Sequence, residues 1–243
     1  MLKLSVVIPC YNEKKTVQTL LRQVCSVSLP KEINSIEILL IDDYSTDGTR
    51  EHLQNIALDP QAMIGLQSNQ SFRMIFQEQN GGKGRALRRG FHEASGDIIL
   101  VQDADLEYNP LDYPALLSPI LRGNADVVFG SRFIGLERRV LYFHHYIINV
   151  CLTFLSNALT NLNLTDMETC YKVFTKPVLN RISLVSDRFG FEPEITAKVA
   201  KLRVRVFEVG ISYNGRTYEE GKKITWKDGM AALWHIIRFN ILG

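Results

Sequence analysis

Three observations predict an α/β chain, with a mostly parallel central sheet and helices on both faces. Short apolar runs alternate with segments of helical period from residue 4 to residue 129, the pattern of repeated βα units. Each polar cluster in this stretch directly follows an apolar run, and open α/β sheets bind ligands at the carboxyl ends of their strands. The third is composition: 243 residues at 46 % hydrophobic content supply one large core, with no linker, repeat or low-complexity tract to divide it.

In chain order, residues 4–9 read as a buried strand and 16–27 as a helix. Residues 36–41 form a second strand ending in Asp42-Asp43, after which Thr46 or Asp47 caps a helix running to Ala57. A third strand over 72–76 leads into Asn80-Gly81-Gly82-Lys83-Gly84 and a helix to Ala94. Residues 98–102 are the fourth strand, 111–121 a helix and 126–129 the fifth strand. In the second half, 170–174 and 204–211 read as strands and 192–201 as a helix. Over 142–162 apolar residues from Phe143 to Leu162 recur at helical spacing, with His145, Asn149, Thr153, Ser156 and Thr160 on the other side. Trp226, Met230, Leu233 and Ile237 mark a last helix, so a main domain over 1–223 and an amphipathic extension over 224–243 are expected.

The remaining composition narrows the function. A net charge of +2 argues against a nucleic-acid-coating protein. Cys10, Cys25, Cys151 and Cys170 fit no zinc or CxxC spacing, so buried reduced thiols are expected. Met1 leads directly into a strand without a signal peptide, which favours a cytoplasmic protein. The best apolar stretch, 140–162, contains His144, His145, Asn149, Asn157 and Asn161. It suits a core or interfacial helix better than a span of about 20 apolar residues.

Asp103-Ala104-Asp105 is the most informative cluster. Two carboxylates one residue apart at a strand's end repel each other and attract a hard cation such as Mg²⁺ or Mn²⁺, which commonly keeps phosphate oxygens as ligands. Asp42-Asp43 offers a carboxylate to a nucleotide base or ribose, beside the plainer reading of a capped loop. The Gly81–Gly84 run has the look of a phosphate cradle but matches neither GxGxxG nor a P-loop, and a helix-start turn explains it equally well. Asp166 alone reads as a turn residue, and Glu192 and Glu194 as helix-start acids. The segment 213–223, with Arg216, Lys222 and Lys223, is either a solvated charged loop or a lid that brings cations to phosphates.

Taken in order, VVIPCYNE (6–13), IDDYSTDGT (41–49), NGGKGRAL (80–87), DADLE (103–107), GSRF (130–133), TDMETCYKVF (165–174), FGFEPEI (189–195) and GRTYEEGKK (215–223) resemble the family 2 glycosyltransferases of GT-A fold. The likeness is to the dolichyl- and polyprenyl-phosphate hexose synthase branch, and it covers nearly the whole chain. The resemblance implies that Pro9, Tyr11 and Glu13 line a nucleotide pocket and that Asp42 reaches the base. Lys83 and Ala104 would lie beside the donor. Asp103, Asp105 and Glu107 would hold Mg²⁺ or Mn²⁺. Arg132, Arg216 and Lys222 would contact phosphates, Asp166 would be the catalytic base and Glu192 would meet the sugar. Tyr44 stands where many relatives carry Gly, which alters the edge of the base pocket.

The implied reaction is inverting transfer of a hexose from a UDP- or GDP-sugar to a polyprenyl phosphate at the cytoplasmic membrane face. Arg138-Arg139 and the amphipathic helices would give peripheral membrane contact, with no nucleic-acid partner. Two other functions compete: transfer to a soluble, glycan or protein hydroxyl, where Asp166 matters more as a base, and nucleotide binding without catalysis.

Overall fold

The computed structural model describes residues 2–135, 139–140, 142–188, 190–217, 219 and 226–242, with the side chains of 226 and 227 left aside. Seven strands form one sheet: β1 (Leu2–Cys10), β2 (Ile33–Asp42), β3 (Gln70–Phe76), β4 (Ile98–Val101), β5 (Val127–Ser131), β6 (Lys172–Thr175) and β7 (Val206–Gly210). Their order is β3-β2-β1-β4-β6-β5-β7. All run parallel except β6, which is antiparallel to both β4 and β5, so the mostly parallel sheet is found with one reversed strand inside it.

The helices are α1 (Val17–Ser26), α2 (Thr49–Leu58), α3 (Pro60–Ile64), α4 (Lys83–Glu93), α5 (Tyr113–Leu121), α6 (Phe143–Thr160), α7 (Lys176–Leu179), α8 (Phe191–Leu202) and α9 (Trp226–Ile237). Two of them escape the sequence pattern because they are shorter than two turns. α3 has its own punctuation, with Asp59 accepting from the Ala62 N–H, Pro60 in the first turn and Gly65 left-handed at the end. α7 starts after Thr175 with Pro177 in its first turn. The start of α2 differs from expectation. Gly48 occupies the cap position at φ +90, while Asp47 accepts from the Thr49 and Lys14 N–H groups and so ties the loop after β2 to the loop after β1. A 3₁₀ turn, Pro110–Asp112, replaces the first residues of the expected 111–121 helix, with Asn109 accepting from the Leu111 N–H.

The central strands are buried on both faces, from Val6, Val7 and Ile8 through Ile38–Ile41 to Ile99, Leu100 and Val101, as continuous apolar runs in a parallel sheet require. Ser5 and Glu37 are buried among them and bond to each other at 2.6 Å; Ser95 closes the network, and Glu37 is held below the usual carboxylate range because these bonds outweigh its burial.

Of the two readings of α6, core or interfacial, the packing follows the second for its aromatic stripe. Leu152, Thr153 and Ser156 face the protein, whereas Phe143, Tyr146, Ile147, Val150 and Phe154 are exposed. Leu152 joins Met167 and the α9 residues Ala232 and Ile236 in a small second core. Cys151 is exposed on the same helix, contrary to the expectation of four buried thiols; Cys10, Cys25 and Cys170 are buried, and all four are free. Among the described residues no helix is long and apolar enough to cross a membrane.

Candidate active site

The site is built on the turn that ends β4. Leu106 adopts φ +65, which brings the Glu107 N–H to Asp105 Oδ1 at 3.1 Å and turns the acidic residues back on themselves. A neighbouring strap, residues 213–216, crosses them. Tyr213 bridges Tyr108 and donates its hydroxyl to Glu107 at 2.7 Å, and the Asn214 N–H reaches the Glu107 carbonyl. Arg216 then sits among three carboxylates: Nη2 lies 2.9 Å from Asp105 and 3.7 Å from Glu13, and Nε lies 3.1 Å from Glu107. Burial, with Asp103 and Glu107 nearby, pushes the Asp105 carboxyl up to about 7 despite Arg216. Thr16 links Glu13 to this turn, donating to the Ala104 carbonyl at 2.9 Å and lying 2.8 Å from Glu13 Oε2.

Asp103 faces the other way, toward Lys83 at 3.0 Å, and Lys83 also binds Glu192 at 2.9 Å. Burial alone would lower the Lys83 pKa; Asp103 and Glu192 outweigh it and hold the ammonium charged well above its ordinary range. The β4 turn, the start of α4 and the start of α8 are thus tied through one side chain.

The glycine run is already satisfied from within. The Gly81 and Gly82 N–H groups donate to Asp43 at 2.9 and 2.6 Å, and the Gly84 and Arg85 N–H groups to the Arg188 and Asp187 carbonyls. A Cβ on Gly84 would stand 2.3 Å from the Ser186 carbonyl, so close packing accounts for that glycine. In this conformation the run serves as the helix-start turn of the two readings, and its contribution to the site is the Lys83 side chain.

Asp42 is fully buried, with Arg50 at 2.7 Å and the Ser45 N–H as its partners. Arg50 also lies 5.1 Å from the ring centres of Tyr44 and Phe76. The exposed surface at this edge belongs to Tyr11 and Tyr44, while Pro9 is half-buried. Tyr44 has φ +64, the left-handed region that a glycine would occupy without strain.

Across the site, Arg132 at the end of β5 grips Asp166 with two side-chain bonds of 2.6 and 2.7 Å and a backbone bond of 3.0 Å. Asn149 of α6 takes another Arg132 N–H at 3.3 Å, and Tyr213 lies under the guanidinium with its ring centre at 5.2 Å. Asp166 is fully buried, and its N–H donates to Glu208 on β7. Its carboxylate is thus engaged by a guanidinium rather than standing open as a base.

The structure gathers Glu13, Lys83, Asp103, Asp105, Glu107, Glu192 and Arg216 around the β4 turn, with Arg132 and Asp166 as an adjoining pair. Lys222 and Arg138 lie outside the described residues. Glu168 and Lys172 were not singled out from sequence, although both stand inside the quoted TDMETCYKVF motif; Asp43, read from sequence with Asp42 as a possible nucleotide contact, instead holds the glycine loop. Among the described residues no three Asp, Glu, His or Cys side chains stand ready-made around a cation position. Asp103 is held by Lys83, and Asp105 and Glu107 by Arg216. The donor set still fits a hard divalent ion, being all carboxylate oxygen, and the pocket accepts positive charge, because a guanidinium already bridges two of the acids.

The profile of the glycosyl transferase family 2 matches residues 5–183; this stretch includes Glu13, Lys83, the acidic residues 103–107 and the Arg132–Asp166 pair, while Glu192 and Arg216 lie beyond it. The chain belongs to glycosyl transferase family 2. Among its relatives, the dodecaprenyl-phosphate galacturonate synthase of Rhizobium johnstonii is 26% identical over 223 residues, 91% of this chain and 62% of that protein. The dolichol-phosphate mannosyltransferase of Pyrococcus furiosus is 28% identical over 92% of this chain and 61% of its own length. The chain thus spans about three fifths of these two relatives. The undecaprenyl-phosphate mannosyltransferase of Micrococcus luteus, 26% identical, is covered over 99% of both chains. Among solved structures, glucosyl-3-phosphoglycerate synthase from Mycobacterium tuberculosis, with Mn²⁺, UDP and glucosyl-3-phosphoglycerate, superposes with a TM-score of 0.70 at 20% identity. It covers 98% of this chain and 80% of that one, and the likeness shows a shared GT-A fold. The same enzyme was also crystallised with Mg²⁺ and UDP. This family 2 member accordingly has the GT-A fold.

Proposed function

We propose that this transferase moves a hexose, with inversion, from a UDP- or GDP-sugar to a polyprenyl phosphate at the cytoplasmic face of a membrane. The observation that carries this reading is the engagement of Asp166 by Arg132, with Asn149 and Tyr213 around the same guanidinium. A hydroxyl acceptor needs a base to remove its proton. A phosphate monoester, with a second pKa of about 6, is already largely ionised at pH 7 and needs a cation instead. A partly exposed Arg132 locked by Asp166 suits the second requirement. The names of the lipid-phosphate transferases in Rhizobium, Pyrococcus and Micrococcus agree with it.

Asp103, Asp105 and Glu107 would hold Mg²⁺ or Mn²⁺ after Lys83 and Arg216 turn from them, and the ion supplies charge neutralisation at the donor diphosphate. The residues of the chain do the rest. Glu13, with Pro9 and Tyr11, shapes the nucleotide side of the pocket, and Asp42 fixes Arg50 and through it the Tyr44 edge. Lys83 and Arg216, once freed, supply N–H donors to the departing diphosphate, whose negative charge grows as the glycosidic bond breaks. Lys222, outside the described residues, is assigned the same task. Arg132 orients the acceptor phosphate, and Asp166 keeps that guanidinium in place and balances its charge. Glu192 holds Lys83 and borders the sugar.

The membrane assignment rests on α6 and α9. α6 exposes Phe143 and Phe154, each 73 % accessible, and α9 exposes Met230 and Trp234. An uncovered aromatic stripe beside Arg139 suits a lipid interface, with residues 224–243 acting as an amphipathic extension. The test is incubation of purified protein with labelled UDP- and GDP-hexoses, a polyprenyl phosphate and Mn²⁺ or Mg²⁺. A lipid-linked hexose is expected; transfer only to hydroxyl acceptors would overturn the acceptor assignment.

A further inference from the structure

Among the described residues, the enclosed side-chain atoms without a hydrogen-bond partner are Glu168 Oε1, Thr169 Oγ1, Ser186 Oγ and His235 Nδ1. Two of these belong to consecutive residues, on the turn that leads from Asp166 into β6. An unsatisfied buried polar atom costs stability, and a native chain keeps one where it has a use.

The turn is built to hold Glu168. Lys172, itself fully buried, donates from Nζ to the carbonyls of Met167 (3.2 Å) and Thr169, the residues on either side of Glu168. Burial lowers the Lys172 pKa, against the nearby Glu192 and Glu168 carboxylates. From α6, Thr153 accepts the Met167 N–H at 3.1 Å, and from β7 Glu208 accepts the Asp166 N–H at 3.1 Å. The charges around the Glu168 carboxyl are those of Glu192, Lys172, Arg132 and Asp166. Each of these is committed: Glu192 to Lys83, Arg132 to Asp166, and Lys172 to the two carbonyls. Glu168 Oε1 is the polar atom of this group left without a partner.

Its position matters as well. Lys83 binds both Asp103, on the β4 turn, and Glu192, whose charge acts on Glu168. Glu168 is thus linked to the diphosphate-holding turn through Glu192 and Lys83, and it shares its own turn with Asp166 of the Arg132 pair. Resting on the donor-site reading above, we infer that Glu168 is a specificity-determining residue that hydrogen-bonds a hydroxyl of the transferred, uncharged hexose, with Lys172 as the residue that positions it. Burial and the neighbouring Glu192 push the Glu168 carboxyl up to about 8, so near neutral pH it is largely a neutral acid, able to donate to a hydroxyl oxygen as well as accept from a hydroxyl proton.

The test is titration calorimetry of wild type, Glu168→Gln and Glu168→Ala with saturating Mn²⁺ and, separately, UDP, GDP, UDP-glucose and GDP-mannose, alongside thermal unfolding. Glu168→Ala is expected to bind the nucleoside diphosphates within about twofold of wild type and to lose roughly tenfold on the nucleotide-hexose that wild type binds better, the usual scale for one lost hydrogen bond to a ligand hydroxyl. Glu168→Gln, which keeps a donor and an acceptor, retains most of that affinity. The unfolding midpoint of Glu168→Ala is not lowered, since Oε1 loses no internal partner. Unchanged hexose affinity in Glu168→Ala, equal losses on diphosphate and nucleotide-hexose, or failure of that variant to fold would each overturn the inference. Absence of nucleotide-hexose binding by wild type would instead overturn the donor-site reading and this inference with it.

Discussion

Asp105 carries the balance of forces in the site at its sharpest. It lies beside Asp103 and Glu107 with Arg216 as its cation, and burial raises its carboxyl to about 7. An acid whose folded-state pKa lies above its unfolded value of about 4 makes folding less favourable as pH rises from the lower value to the higher, and the cost is complete above the folded value. Asp105→Asn removes that cost. In chelator, the variant is expected to unfold at a higher temperature than wild type at pH 7.5, with the gain vanishing near pH 4, while metal-dependent turnover falls by roughly 10²-fold or more through loss of a charge-bearing ligand. Scanning calorimetry at the two pH values reads the first part; a variant less stable than wild type at pH 7.5 would show that the Arg216 pair outweighs the repulsion. Asp43 has the opposite character. It accepts from Gly81, Gly82, Gln77 and Asn80, and its carboxyl is raised by burial only against those bonds. Asp43→Ala strands four donors and is expected to cost about 2–4 kcal/mol in denaturant unfolding, whereas a loss below about 0.5 kcal/mol would mean that the glycine loop is held by its contacts with 186–188 alone.

At the level of elements, α6 joins two surfaces. One side supplies Asn149 to Arg132 and Thr153 to the turn before Glu168. The other side exposes Phe143, Tyr146, Ile147, Val150 and Phe154. Helical period shows which residues share a stripe, but the stripe that meets the protein body is decided by what the body offers, and here it offers hydrogen-bond partners for Thr153 and a small cluster around Leu152. The double variant Phe143→Ser/Phe154→Ser removes two large apolar groups that touch no core, so its fold is expected to be unchanged. Its co-sedimentation with vesicles containing anionic lipid should drop by roughly tenfold, given about 25 cal/mol per Å² of apolar area taken from water. Equal sedimentation of variant and wild type would remove the helix from the membrane-facing surface.

At the scale of the whole molecule, the sheet was legible because its central strands are apolar on both faces, as in 36–41 and 98–101. Direction was less so: β6 runs backwards between β4 and β5, a property of the connection before it rather than of its four residues. The acidic turn was legible in Asp103-Ala104-Asp105, and Lys83, Arg132, Arg216 and Glu192 in the motifs around them. The pairings were not. Arg132 and Asp166 stand 34 residues apart, Arg216 and Asp105 111 apart, and no local pattern reports such contacts. Those pairings bear on the alternatives left open by the sequence: Asp166, a base or a charge-balancing group, is engaged by a guanidinium, and the glycine loop, a cradle or a helix-start turn, donates to Asp43. Both findings fit the proposed reaction, in which cations rather than a base meet the acceptor phosphate. The measurement that tests this most directly is transfer of labelled hexose from UDP- or GDP-sugar to polyprenyl phosphate, compared in wild type, Asp166→Asn and Arg132→Ala with Mn²⁺ present. Product from wild type, its loss in Arg132→Ala, and a residual rate in Asp166→Asn that stays parallel to wild type from pH 6.5 to 8.5 is the expected result. Transfer confined to hydroxyl acceptors and abolished by Asp166→Asn would contradict it.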